Sequence, residues 1–453
     1  MSTSRIFILA AVAAASIAGQ SIAAVSPDEA AKLKTTLTPL GAERAGNADG
    51  SIPAWTGGYT TVAPGWTGDK VRPDPFADEK PLYSVTSQNA DQYSDKLSEG
   101  VKAMLKKYPD WRIDVYPTHR TAAAPRYVYD NTFTNATRAQ LVNDGISTKG
   151  AYGGIPFPIA KNGAEAIWNH LLAWRGECKH LHGDSLVIAA DGKVVLASTS
   201  DTFMEYPYYD HRNTLEKFGD GDFWWIDQTN VAPPYKAGER LLVRDPVDIS
   251  KGRKAWQYLV GQRRVRLAPT VAFDTPNFIA SGIANFDETF IFNGSPERYT
   301  WKLLGKKEMI IPYNQSKLTA TAENGHEDQV TKAHFLNPDL TRWELHRVWV
   351  VEAELRPGAR HTQPKRRFYL DEDTWLAMLA ESYDAQGRLW KTLQAIPYLY
   401  PDLPGVVVES GVVFNLLDGD YIIDFLQTKP SAMIPNVPAS RFTPEAIAAS
   451  SVK

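Results

Sequence analysis

From about residue 185 onward the chain makes one move over and over. A short run of β-favouring residues meets a tight turn of Gly, Asp or Asn, and a second run comes back. The stretch RRFYLDEDTWLAMLAESYDAQGRLWKTL (366–393) shows it most fully. Residues 367–370 are extended, 371–374 supply turn chemistry, and Trp375 resumes an extended run to Tyr383. Asp384 to Gly387 turns again, with Gly387 free to take a positive φ, and 388–393 returns. The same signal recurs where 185–189 and 193–198 flank Ala190-Asp191-Gly192, and where 254–260 and 263–267 flank Gly261-Gln262. It recurs again where 301–304 and 309–311 flank Gly305-Lys306, and where 411–417 and 421–426 flank Asp418-Gly419-Asp420. Further runs at 223–226, 240–243 and 346–355 bring the expected strands to about a dozen in hairpin order. Long helical patterns do not alternate with them, which argues against a parallel α/β sheet. The expected fold is mainly β with some helix (α+β): a large curved antiparallel sheet or open half-barrel in meander order, with a few covering helices and a long N-terminal extension.

The chain has 453 residues, enough to bury a core unaided. Its net charge of −3 leaves no electrostatic footprint for nucleic acid. The N-terminus reads as an export signal. Arg5 is followed by a small-residue apolar stretch over 6–19, and Ser21-Ile22-Ala23 fits a small-x-small cleavage site, with cleavage expected after Ala23 or Ala24. The apolar run is too short for a membrane anchor. No cysteine lies near the cleavage site, so a lipidated N-terminus is not expected. A soluble periplasmic protein without a transmembrane anchor in the mature chain is the expectation. Cys178 is the single cysteine, so no disulfide can form within the chain.

The expected divisions are a signal peptide at 1–23, then an N-terminal helix, aromatic loop and first strands at 24–150. A β-meander body follows at 151–430, and a Pro-rich tail with a short helix at 431–453. Ser26-Pro27-Asp28-Glu29 is a capping box that predicts a helix to about Leu37. Residues 41–68 form a Gly- and Pro-rich loop whose Ile52, Trp55, Tyr59 and Trp66 predict order against the body. Apolar spacing predicts a helix over 87–108, and near-alternation predicts extended chain at 113–116 and 126–133. A second helix is predicted from Asn162 to Trp174, ended by Gly176. Thr443-Pro444-Glu445 opens a terminal helix.

Four stretches resemble a proteobacterial family known as domain of unknown function 1329. They are GAERAGNADGSIPAWTGG (41–58), GIPFPIAKNGAEAIWNHLLAWRG (154–176), AWQYLVGQRRVRLAP (255–269) and RRFYLDEDTWLAMLAESYDAQGRLW (366–390). That family is similar in pattern to the periplasmic lipoprotein carriers of the Lol system. The resemblance implies an open antiparallel half-barrel with helices over its greasy concave face. It also implies work alongside an inner-membrane exporter and an outer-membrane protein. It supplies no catalytic residues.

Candidate site residues follow from strand periodicity. Trp256, Tyr258 and Val260 share a face, with Val265 and Leu267 able to join them across the turn. Trp375 and Leu379 lie on one side of the next candidate strand, with apolar residues on both sides demanding cover on both. Trp256, Tyr258, Val260, Trp375 and Leu379 are the ligand-binding candidates. Arg263, Arg264 and Arg266, with Arg366 and Arg367, would make a positive rim for headgroups or a partner if their strands are neighbours. Cys178, His180 and His182 are not spaced as a zinc motif and are expected in a partly buried turn, so no metal is assigned. Asp371, Glu372 and Asp373 are explained by turn propensity. There is no P-loop, dinucleotide fingerprint, HExxH or G-x-S-x-G, and no cofactor is expected. The expected function is an exported carrier or chaperone for a lipid or other hydrophobic or amphiphilic molecule, without enzymatic activity. Two alternatives stay open: a scaffold subunit of an envelope complex, and an envelope hydrolase.

Overall fold

The structure, a computed structural model, describes residues 25–450 apart from 269, 270, 272, 280 and 432. The expected signal peptide lies outside the described residues. A short helix α1 (Pro27–Ala31) opens the chain, with the capping box of Ser26 and Glu29 formed in both directions. It ends six residues before the expected Leu37, passing into a single 3₁₀ turn at Lys32–Lys34. Strand β1 (Tyr83–Thr86), helix α2 (Glu99–Lys107), strand β2 (Arg112–Tyr116) and helix α3 (Arg126–Arg138) follow. A small hairpin of β3 (Gln140–Val142) and β4 (Ser147–Lys149) leads to helix α4 (Gly163–Leu171). Next come β5 (Cys178–Ile188), β6 (Val194–Glu205), the short α5 (Leu215–Phe218), β7 (Asp222–Ala232), β8 (Arg240–Pro246), β9 (Lys254–Leu259) and β10 (Arg264–Leu267). After an irregular stretch, β11 (Tyr299–Pro312) and α6 (Ser316–Glu323) precede β12 (Trp343–Leu355), β13 (Lys365–Asp371) and β14 (Ala377–Tyr383). The chain then runs through β15 (Leu389–Tyr400), β16 (Gly405–Asn415) and β17 (Tyr421–Gln427) to α7 (Pro444–Ser450).

Fifteen strands form one open sheet. β5 to β10 make one antiparallel meander and β11 to β17 a second. The two join where β17 pairs with β5, Tyr421 opposite Ile188 and Ile423 opposite Leu186. β1 and β2 attach to the start of β12 through a short parallel contact, Val115 opposite Trp343. β10 ends the sheet on one side and β11 lies at the other, so the sheet is not closed. Among the described residues no helix is long and apolar enough to cross a membrane.

Both faces of the sheet are covered, as the two-sided apolar pattern of β14 requires. Glu381 Oε1 accepts a hydrogen bond from Gly100 N of α2 at 2.8 Å. The next residue, Ser382, points the other way and bonds Gln363, which in turn bonds Glu288 in the irregular stretch before β11. α2 sits close to β15: a Cβ on Gly100 would lie 2.0 Å from Thr392 Oγ1, so no larger residue fits there.

Several local expectations are corrected. RYVYDNTF is helical, because the buried set Val128, Thr132, Asn135 and Ala136 has helical spacing and its last two members lie beyond the window that alternates. The helix expected over 87–108 is reduced to α2, since Ser98 caps Val101 N at 3.1 Å and restarts the chain there. The expected hairpin at Gly305-Lys306 is one continuous strand, β11, bent by a bulge between Leu303 and Gly305, with Gly305 at φ 104°. α4 stops at Leu171, short of Trp174. Trp375 is not in a strand: at φ 64° it closes the turn before β14. Cys178, His180 and His182 lie in β5 rather than in a turn.

Candidate functional site: a covered cavity on one face of the sheet

The face of the sheet that carries Arg366, Ser382 and Asp424 is roofed by α4 and by the irregular stretch 271–293. Between that stretch and β6, β7 and β8 lies a cavity of about 50 Å³. Its walls are mainly apolar: Met204, Trp224, Ile226, Leu241 and Val243 from the strands, with Ile279, Phe286 and Phe290 from the roof. Ligand pockets run to ~300–1,000 Å³. As closed, the space holds a few waters and no acyl chain.

The roof is fastened unevenly. Its turn at Phe286–Glu288 carries two buried acids that meet cations on the sheet. Asp287 pairs with Arg366 Nη1 at 2.7 Å and with His361 Nε2 at 3.0 Å. Glu288 pairs with Lys391 Nζ at 3.0 Å. Burial alone would raise the Asp287 carboxyl, but Arg366 and then His361 pull it down to about 2. Phe290 and Ile291 follow at φ 55° and 71°, a conformation that a β-branched residue adopts only when its surroundings dictate it. His170 of α4 adds a third fastening. Its Nδ1 accepts from Ala377 N at 3.0 Å and its Nε2 donates to Phe292 O at 2.9 Å. Burial, with Arg175 nearby, drops its pKa to about 3, so it bridges helix, sheet and roof as a neutral ring.

The tip of the roof, residues 275–279 and 281–286, is a hairpin-like flap. Asn277 N bonds Ala284 O at 2.8 Å and Phe286 N bonds Thr275 O at 3.0 Å. Across the cavity, Ser198 Oγ donates to Ile279 O at 3.2 Å and Lys236 Nζ to Phe278 O at 3.1 Å. The carboxylates that face the cavity are engaged. Glu409 is paired with Lys179, and Asp424 accepts from Ser185 Oγ at 3.3 Å. Burial pushes Asp424 up to about 6.

The sequence-derived candidates fall in two separate places. Trp256, Tyr258 and Val265 pack with Leu242 and Phe442 beneath the C-terminal tail, as the two-residue period requires. Tyr258 and Val260 also line an open groove of about 790 Å³ between the ends of β7 to β9 and residues 437–446. That groove is more open to solvent than the inner cavity. Trp375 is fully buried, donates from Nε1 to Leu40 O at 2.8 Å and stacks on Trp349. Leu379 is buried in the middle of β14. None of the five lines the inner cavity.

The arginines do not form one rim. Arg263, Arg264 and Arg266 are exposed at the β10 end of the sheet. β13 lies in the other meander, so the condition of neighbouring strands fails. Arg366 is wholly buried against Asp287, and Arg367 is half-buried against Glu352 at 2.8 Å. A run of basic residues on a strand alternates sides, and one of the two sides here is the interior.

Sequence reasoning missed the buried charge. Glu372 and Asp373 dock the N-terminal loop onto the sheet. Arg120 makes two bonds to Asp373, at 2.8 and 2.7 Å, and reaches the carbonyls of Glu43, Arg44 and Pro53. Glu372 accepts from Glu43 N at 3.1 Å. Loop 41–58 and turn 371–375 are thus one unit. The usable signal was three consecutive acids directly after an apolar strand and before a Trp, more charge than a turn needs.

The family described as Protein of unknown function (DUF1329) matches residues 84–448. An uncharacterized protein of Pseudomonas aeruginosa is 43% identical over 431 residues, covering 93% of this chain and 92% of that protein. Among solved structures, a DUF1329 family protein from Desulfovibrio piger is 16% identical with a TM-score of 0.41, over 60% of this chain and 92% of that one. A putative outer membrane lipoprotein-sorting protein domain from Vibrio parahaemolyticus is 12% identical with a TM-score of 0.43, over 63% and 98%. Likeness of that degree says nothing about what this chain binds.

Proposed function

The chain belongs to the DUF1329 family, and from that premise we propose that it is an exported, non-enzymatic carrier that holds the apolar part of an amphiphile under the 271–293 roof. The supporting observation is the apolar cavity closed by a flap that is fastened differently at its two ends. Magnitudes decide which part moves. Lifting the Phe286–Glu288 turn would strand Arg366 and Lys391, at about 3–5 kcal/mol for each buried pair. Lifting the tip releases the bonds from Ser198 and Lys236, about 1 kcal/mol each, and exposes Ile279 at about 1.5–3 kcal/mol. An acyl chain burying on the order of 300 Å² gains about 7 kcal/mol before association losses. The tip therefore yields to a ligand and the pinned turn is its hinge. The periplasm is the proposed compartment, with an inner-membrane exporter and an outer-membrane protein as proposed partners.

The test is native mass spectrometry of gently purified protein, with organic extraction of bound material. A stoichiometric amphiphile supports the reading. A clean apo mass, with no uptake of offered lipid or of an apolar dye, sinks it. Ile279→Ser, which trims the flap without touching the pinned turn, is expected to raise dye uptake several-fold. The scaffold alternative calls for a large exposed apolar patch.

A further inference from the structure

Away from the cavity, on the opposite face of the sheet, β12, β13 and the turn after β13 bring His346, Asp371 and Asp373 together. One ligand atom of each lies within 4.8 Å of the others. His346 is 1% exposed, Asp371 0% and Asp373 4%. The register explains the meeting. Val348 stands opposite Asp371, so His346, two residues back, projects from the same face one step further along.

Glu344 is ion-paired with Arg342 Nε at 2.5 Å and also accepts from Asn314 Nδ2 at 2.9 Å and His119 N at 2.8 Å. It lies 3.1 Å from Nε2 of His346. That contact turns Nδ1 of His346 towards Asp371. Asp371 has one satisfied oxygen. Its Oδ2 accepts from Thr374 N at 3.0 Å, Thr374 Oγ1 at 2.7 Å and Tyr313 Oη at 3.2 Å. Its Oδ1 is buried, has no hydrogen-bond partner, and points at His346 Nδ1 from 3.8 Å. The two atoms thus face each other across a gap too long for a hydrogen bond. Tyr313 stacks on the imidazole at 4.0 Å and holds its plane.

The geometry points to a site for one divalent transition-metal cation, ligated by His346 Nδ1, Asp371 Oδ1 and an oxygen of Asp373. One imidazole and two carboxylates suit Zn²⁺, Mn²⁺ or Co²⁺. The two facing atoms lie at a separation that bonds of ~2.0–2.2 Å span. Glu344 fills the outer role that carboxylates take behind metal-bound histidines, fixing the tautomer that presents Nδ1. Asp373 keeps lone pairs beyond the two bonds it accepts from Arg120. No spaced motif marks the site, because its ligands come from three elements. The cation's work is structural. It ties β12 and β13 to the turn that docks loop 41–58.

Because the site is buried, loading is tested through refolding. The full chain is unfolded, stripped with chelator, and refolded with Zn²⁺, Mn²⁺ or Co²⁺, then dialysed and assayed by elemental analysis. One equivalent of metal per chain is expected, together with a visible Co²⁺ spectrum of nitrogen and oxygen ligation and a raised thermal midpoint. His346→Gln, refolded in the same way, is expected to lose the metal and the spectrum. Metal-free wild type from all three refoldings overturns the proposal, as does folded His346→Gln that keeps the metal. If His346→Gln does not fold, Asp373→Asn gives the second reading, with the same two outcomes.

Discussion

Arg120 shows how much one side chain can organise. It is 7% exposed, pairs with Asp373 through two nitrogens and collects backbone carbonyls of loop 41–58. Arg120→Ala leaves Asp373 buried without its cation, so a loss of about 3–5 kcal/mol is expected in urea unfolding. Limited proteolysis should then open 41–58 first. Arg126→Ala is the control. Its pair with Asp130 lies in solvent, and the change should stay within about 0.5 kcal/mol. Equal losses in the two variants would deny Arg120 its role. The residue scale is also where sequence reading was weakest. Arg366 and Arg367 look alike in the chain, yet one is sealed against Asp287 and the other reaches solvent beside Glu352. Only the strand's place in the sheet separates them.

The bulge in β11 carries an element-scale prediction. Gly305 sits at φ 104° with nothing within 4 Å of where a Cβ would stand. Gly305→Val is therefore penalised by backbone conformation alone, at about 1–2 kcal/mol, read as a lowered urea midpoint at unchanged slope. A neutral result would mean that the bulge relaxes. Elements bounded by turn chemistry were legible: Gly387 takes the positive φ expected of it, and the turns expected at Gly192 and Gly419 are formed, both also at positive φ. The Ser26–Glu29 capping box and the meander order were legible for the same reason, since each depends on neighbours in sequence. The stretch 271–293 was not. It has little regular structure, and its order comes from Arg366, Lys391 and His170. Period-based reading has nothing to hold in such a segment. Trp256, Tyr258 and Val265 were grouped on one face from the sequence, but what covers them, a helix nearly two hundred residues on in the tail, was not readable.

At the scale of the whole molecule, buried carboxyls set the response to pH. Burial raises Asp424 to about 6, and Glu205 and Glu323 to about 7. Each holds its proton in the fold at pH values where the unfolded chain has lost it. Their contribution is fully present below about pH 4 and is lost as pH rises to 6–7. Asp287, lowered to about 2, acts in the opposite sense: its contribution is present above about pH 4 and is lost as pH falls towards 2. The thermal midpoint is expected to be higher at pH 5 than at pH 7.5. Asp424 faces Ser185, Thr289 and Glu288, so Asp424→Asn replaces a protonated carboxyl with a near-isostere and should flatten that slope. Strong destabilisation by Asp424→Asn at pH 5, where the carboxyl holds its proton, would mean that Asp424 is ionised in the fold there. The β17–β5 seam has a consequence in time. β5 leaves the ribosome long before β17 exists to pair with it. Until then the first meander carries an open edge able to recruit other chains. Products truncated before Tyr421 should aggregate or need a holding chaperone, while the complete chain seals itself with nearly its last strand.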